Sequence, residues 1–331
     1  MTLFELAKKL IDIPSVSGDE AAVGDFLSAH LKGLGFQVRE QRVRENRVNV
    51  LAETGARPKV ILCTHMDTVP PFLDASEDEK NIYGRGACDA KGIMAAMIAA
   101  AESLLRAGAT DFGLLFLVGE ETDSLGAQTS NSLNISSDYI IVGEPTENKL
   151  AVGHKGLTSM KLTARGRSAH SALPELGDSA IEKLLDVLNR IRETNFGEDP
   201  LLGNATLNIG AINGGLAHNV IADRATATLS VRNTVACENV VTKISSLAGE
   251  DIQLEILLKS EPQKLLALPD FEHIVVPYGT DIPHLRNFGK PLLIGPGSIT
   301  VAHTRDEYIS KKQLSEAVDI YMNLVITLMG V

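Results

Sequence analysis

The sequence predicts an α/β protein, with a mostly parallel sheet covered by helices on both faces and an inserted domain of ferredoxin-like α+β order. Three observations lead there. Short apolar or β-branched runs alternate with helical stretches early in the chain and again near its end. Those runs are continuous rather than alternating, as expected of parallel strands buried on both faces. From about His154 to Pro262 the texture changes to alternating strands and helices in the order β-α-β-β-α-β. The expected organisation is therefore a first domain over 1–153 and 263–331, interrupted by a second over 154–262.

The elements follow in order. Met1 to Leu10 reads as an amphipathic helix with a Thr2/Glu5 capping box. Ser17-Gly18-Asp19-Glu20 opens a second helix, which Gly33 and Gly35 close. Lys59 to Thr64 is a strand, Ile93 to Leu105 a buried Ala/Met-rich helix, and Phe112 to Val118 and Tyr139 to Val142 are further strands. In the insert, strand Leu157 to Ala164 precedes helix Ser179 to Arg192. Strands Ala205 to Ala211 and Ala225 to Val231, helix Glu238 to Leu247 and strand Gln253 to Leu258 follow. The first domain then resumes with strand Pro291 to Ile294 and ends in helix Lys312 to Met329.

Composition narrows the function. The chain has 331 residues and a formal charge of −11, with no basic block. Nucleic acid and anionic membranes are not expected partners. No apolar run reaches the roughly 18 residues that cross a bilayer. The first residues lack the order of a signal peptide. Cys63, Cys88 and Cys237 are odd in number and far apart, unlike a disulfide framework, which points to the cytoplasm.

The chemistry is carried by residues that follow strand ends. His65 and Asp67 stand two apart after Val60-Ile61-Leu62-Cys63. Asp89 sits in the glycine-rich loop Gly84-Arg85-Gly86-Ala87-Cys88-Asp89-Ala90-Lys91-Gly92. Glu120-Glu121 and Glu144 follow the next two strands, and Gly295-Pro296-Gly297 leads towards His303. Ligands in open α/β sheets bind beyond the carboxyl ends of the strands. Singly, each residue has an ordinary reading: a surface histidine, a solvated acidic turn, a packing cysteine. Five ligand-type segments at one sheet edge point instead to a divalent metal, with zinc favoured by the imidazoles.

These segments resemble the aminoacylase/carboxypeptidase family of dizinc metallohydrolases, over nearly the whole chain including the insert. The resemblance implies a zinc-peptidase-like catalytic domain and two divalent metal ions per chain, zinc with cobalt possible. It implies that His65 and Glu144 bind one metal, His303 and Glu121 the other, and that Asp89 bridges them. Asp67 would orient His65, and Glu120 would carry protons between water and the leaving amine. The Asp89-Ala90 peptide bond is expected to be cis. Gly166-Arg167-Ser168-Ala169-His170-Ser171 matches the family's lid motif, which implies that His170 stabilises the oxyanion in a partner protomer's site. Asn219, in His218-Asn219-Val220-Ile221, resembles a lid asparagine that reaches substrate. Arg232 is expected to pair with a substrate carboxylate, an ordinary structural arginine being the rival reading. Thr280, in Tyr278-Gly279-Thr280-Asp281-Ile282-Pro283, lies where the family contacts substrate. A homodimer through the insert follows.

Gly143-Glu144-Pro145-Thr146, Gly153-His154-Lys155-Gly156 and Gly295-Pro296-Gly297-Ser298-Ile299 resemble the acetylornithine deacetylase branch, as do Ala302-His303 and Asp306-Glu307-Tyr308. The short loop between Pro70 and Tyr83 and the lack of any Trp depart from it. The expected activity is removal of the acyl group from an N-acyl amino acid, acetylornithine deacetylase-like. Succinyl-diaminopimelate desuccinylase, N-acyl-lysine deacylase, and a dipeptidase or carboxypeptidase are the alternatives. A non-catalytic binding relative is remote, because the matched ligands and Glu120 are all present.

Overall fold

The computed structural model describes residues 1–55 and 57–330. The chain divides into two compact units. One comprises Met1–Val152, Leu265–Ile274 and Thr280–Val331, the other Gly153–Lys264 and Val275–Gly279. The sequence reading put the insert at 154–262. The structure adds short flanking stretches, because Gln263 and Lys264 pair antiparallel with His154 and Gly153. Lys155 also donates its N–H to the Val276 carbonyl at 3.2 Å.

The first unit is built on one sheet. Its strands run in the order Gln37–Arg44, Arg47–Glu53, Phe112–Leu117, Val60–His65, Tyr139–Val142, Lys290–Leu293 and Leu150–His154. The four strands from Phe112–Leu117 to Lys290–Leu293 are parallel. The flanking strands are antiparallel. Val60–His65 and Phe112–Leu117 are buried along their whole length, which is why their apolar runs do not alternate. Helix Lys91–Arg106 buries most of its surface. It packs against Leu3–Ile11 and Lys311–Met329, and Tyr321 of the latter donates to the Ile294 carbonyl at 2.9 Å. The Thr2/Glu5 capping box is formed. Ser17-Gly18-Asp19-Glu20 directly precedes the second helix, Ala21–Gly33, with Glu20 at its N-cap but without a side-chain capping hydrogen bond. Glu20 instead holds the buried Arg47 guanidinium through two contacts of 2.7 and 2.6 Å.

The second unit is a four-stranded antiparallel sheet. The order is Thr206–Gly214, Arg224–Arg232, Leu157–Arg165, Ile252–Ser260. Helices Ala180–Arg192 and Cys237–Ala248 connect the strands in β-α-β-β-α-β succession. Met160, Leu162, Leu184, Leu188, Leu229 and Ile244 belong to its separate core. Among the described residues, no helix is long and apolar enough to cross a membrane.

Candidate metal centre

His65 ends strand Val60–His65 and is almost wholly buried. Its Nδ1 lies 3.0 Å from the Asp67 main-chain oxygen and 3.5 Å from the Asp67 carboxylate. That fixes the ring so that Nε2 faces Asp89 Oδ1 at 3.0 Å and Glu144 Oε1 at 4.0 Å. Glu144 follows strand Tyr139–Val142, whose chain continues through Gly143. The Gly143 N–H donates to Cys63 at 2.8 Å and its carbonyl accepts the Thr64 hydroxyl at 2.9 Å. A Cβ at Gly143 would lie 2.4 Å from Ile93 Cγ2, so the close approach needs glycine.

Asp89 spans two imidazoles. Its Oδ2 lies 3.4 Å from His303 Nε2, and the same ring nitrogen lies 3.0 Å from Glu121 Oε1. The Asp89-Ala90 peptide is cis. Donor atoms of His65, Asp89 and Glu121 all fall within 4.8 Å of one another. Asp67 does more than face His65. Its carboxylate accepts the main-chain N–H of Glu120 at 3.0 Å and of Glu121 at 3.2 Å, and the Ser17 hydroxyl at 2.6 Å. Asp67 thereby sets the loop that bears both glutamates.

The electrostatics fit a cation. Among the described residues, neither lysine nor arginine pairs with Asp89, Glu120, Glu121 or Glu144; the two imidazoles pair with Asp89, Glu121 and Glu144. Burial pushes Glu120 and Glu144 well above the usual carboxylate range. Burial would depress His65, but hydrogen bonds to Asp67 and Asp89 and the charge of Glu144 hold it well above its ordinary value. Asp89 and Glu121 raise His303 to about 10. Such a cluster is stabilised by positive charge, whether proton or metal. Mixed imidazole and carboxylate donors suit a borderline-to-hard divalent ion.

The other expected site residues are placed as follows. Thr280 is buried, and its hydroxyl accepts the Ile282 N–H at 3.2 Å. In the second unit, His170 bridges Val220 and the Ser171 N–H donates to the Asn219 carbonyl at 3.0 Å, so the His170 and Asn219 loops adjoin. Both residues are exposed. Arg232 ends strand Arg224–Arg232. Burial lowers its pKa, and it makes no ion pair with any described residue. Sequence reasoning missed Ser17, Arg85 and the anchoring role of Glu307, whose signal was a glutamate four residues beyond His303.

Residues 61–327 match the family of peptidases designated M20/M25/M40. A peptidase M20 domain-containing protein of Schizosaccharomyces pombe is 41% identical, covering 98% of this chain and 84% of that protein. A probable carboxypeptidase of Emericella nidulans is 36% identical, covering 97% of this chain and 88% of its own. Among solved structures, a tripeptidase from Staphylococcus aureus is similar with a TM-score of 0.85 at 21% identity, over 99% of this chain and 98% of that one. A dinuclear metal-binding peptidase of family M20 from Bacillus subtilis is similar with a TM-score of 0.72 at 16% identity, over 99% and 98%.

Proposed function

Since the chain belongs to peptidase family M20/M25/M40, we propose that it is a two-metal hydrolase cleaving an amide whose amine side is an amino acid with a free α-carboxylate. The observation that carries this reading is Asp89 set between His65 and His303, in an acidic cluster that pairs with no lysine or arginine among the described residues. His65 with Glu144, and His303 with Glu121, would hold two divalent cations that share Asp89, zinc being the best match to the donors. Bound cations supply Lewis acidity, which makes water acidic near neutral pH and polarises the amide carbonyl.

Glu120 adjoins a donor but has no ion-pair partner among the described residues. Burial raises the Glu120 carboxyl well above its ordinary range, and a carboxyl so placed beside a donor residue suits proton transfer. One Glu120 Oε would take the proton of the attacking water and return it to the amide nitrogen as the C–N bond breaks. We assign His170 to the developing oxyanion, acting from the partner protomer of a homodimer formed through the second unit. Asn219 and Thr280 are assigned to the substrate. Arg232, half-buried and without an ion-pair partner among the described residues, is assigned to the substrate α-carboxylate.

An N-acyl amino acid of the acetylornithine type and a peptide bearing a C-terminal residue present the same amide and carboxylate. The carboxypeptidase name of the Emericella nidulans relative favours the second. The test is release of free amine from acetylornithine, acetyl-lysine, succinyl-diaminopimelate, dipeptides and tripeptides by zinc-loaded protein, each paired with its C-terminal amide. Cleavage that chelation abolishes and that the free carboxylate strengthens supports the reading. Equal cleavage of the amidated compounds removes the role given to Arg232, and no cleavage of any compound removes the proposed activity.

A further inference from the structure

Glu307 stands four residues beyond His303, with its side chain fully buried. One of its carboxylate oxygens, Oε1, accepts three main-chain N–H groups of a single loop: Gly86 at 3.0 Å, Cys88 at 3.1 Å and Asp89 at 3.1 Å. The other oxygen pairs with the guanidinium of Arg85, itself 2% exposed. Arg85 Nε also donates to the Pro71 carbonyl at 3.3 Å. The main chain runs alongside: the Gly84 N–H donates to the Glu307 carbonyl at 3.1 Å, and Tyr308–Ser310 pairs with Asn81–Tyr83. The loop can curl around one oxygen because Gly86 takes φ +86°, where a Cβ would also press on Lys91 and Thr68.

Main-chain N–H groups of one loop that converge on a point form an anion-binding concavity, here from Gly86, Cys88 and Asp89, the Ala87 N–H going to the Gly84 carbonyl. Here the occupant is the chain's own carboxylate. The last of those N–H groups belongs to Asp89, whose side chain faces His65 with one oxygen and His303 with the other. We infer that Glu307, braced by Arg85, is a positioning residue for the cation site. It fixes the Asp89 main chain so that both carboxylate oxygens are presented to the two imidazoles at once. His303 lies on the same segment, so the buried carboxylate also ties one imidazole to the acid between them. Glu307 acts through main chain alone, that of the Gly86–Asp89 loop and that of its own segment bearing His303. The inference rests on reading the centre as a cation site; the anchoring of the loop does not.

The test uses the full-length protein, with Co²⁺ as the probe and amide exchange as a second readout. In chelator-treated wild type, the amides of Gly86, Cys88 and Asp89 are expected to exchange slowly, and as slowly as in the cobalt-loaded protein. If they become protected only on adding cobalt, the cation orders the loop and the inference is overturned, whatever the variants do. Glu307→Gln keeps the shape but sets an amide NH₂ against donors on one side or the other. Its Co²⁺ affinity is expected to fall by about 10–100-fold, the usual cost of losing an outer partner of a metal site. The visible absorption of the bound cobalt should shift, and kcat should fall more than KM rises. Arg85→Lys keeps a positive charge beside Glu307 and leaves the three Oε1 contacts in place but loses the second guanidinium contact to the Pro71 carbonyl, so its cobalt affinity is expected to fall less than that of Glu307→Gln; a larger fall would overturn the assignment of the anchor to Glu307. A Glu307→Gln protein that melts lower but keeps the wild-type cobalt affinity and spectrum would reduce the pair to a brace for the fold. Wild type that binds no cobalt would overturn the reading of the centre itself, and protected loop amides would then place the fault there rather than in the anchor.

Discussion

Replacing Asp67 with Asn tests whether this buried carboxylate holds the Glu120-Glu121 loop. Asp67 is wholly buried. Its Oδ1 accepts the Glu120 N–H and its Oδ2 accepts both the Ser17 hydroxyl and the Glu121 N–H. An asparagine offers a single acceptor oxygen. With its nitrogen on the Ser17 side, the hydroxyl can turn and accept, but the Glu121 N–H then faces a donor. With its nitrogen on the other side, the Glu120 N–H does. One main-chain donor loses its partner either way, at about 1–3 kcal/mol, and the surviving bonds lose their charge assistance. A total of about 2–4 kcal/mol follows. At roughly 2.1 cal/mol/K per residue, 331 residues give an unfolding entropy of about 0.7 kcal/mol/K, so Tm should fall by about 3–6 °C. A shift of Glu120 by about 1 Å would cost on the order of 10²-fold in kcat. Calorimetry and initial rates at saturating zinc read both effects. An Asp67→Asn protein with unchanged Tm and full kcat would refute this account of the loop.

Two further outcomes are expected. His154 is buried and its pKa is lowered to about 4 by that burial. The unfolded chain, with an ordinary histidine near 6.5, therefore takes up the proton first as pH falls. Stability should drop through the window from 6.5 to 4, by about 2 kcal/mol between pH 7.5 and 5. Urea midpoints of wild type and His154→Gln should diverge across that window; parallel curves would contradict the assignment. His170→Ala should lower kcat by about 10²–10³-fold, as for loss of one oxyanion donor, with cation content unchanged. Mixed with Glu120→Ala protomers it should regain partial activity, and no recovery after verified subunit exchange would rule out action across protomers.

The strands that carry the site were legible because they are buried on both faces. Val60–His65 is apolar up to Thr64, and Phe112–Leu117 and Tyr139–Val142 carry no charged residue before their donor segments. The insert was legible from its change to alternation. The hairpin Gln37–Arg44 with Arg47–Glu53 was not read, because its outer strand is largely exposed and charged and so lacks an apolar signal. Nor was the small sheet of Ser76–Glu77, Asn81–Tyr83 and Tyr308–Ser310, whose strands are two or three residues long and whose last strand pairs with Asn81–Tyr83 across more than two hundred residues. Single donor residues announce themselves by type and by position after a strand. The acceptors that hold their loops do not. The contacts of Asp67 to the main chain of Glu120 and Glu121, and of Glu307 to that of Asp89, depend on backbone N–H directions that no side-chain pattern encodes.

On the proposed reading, cation binding and proton transfer are divided between two adjacent glutamates. Metal content and turnover, measured on the same preparations of Glu120→Gln and Glu121→Gln under saturating zinc, separate the two roles. Glu120→Gln should retain two cations per chain while turnover falls by about 10²–10⁴-fold, the range for loss of a general acid–base group. Glu121→Gln should lose one cation. A Glu120→Gln protein that loses a cation while Glu121→Gln keeps both would reverse the assignment, and wild type that never exceeds one cation would contradict the shared site at Asp89.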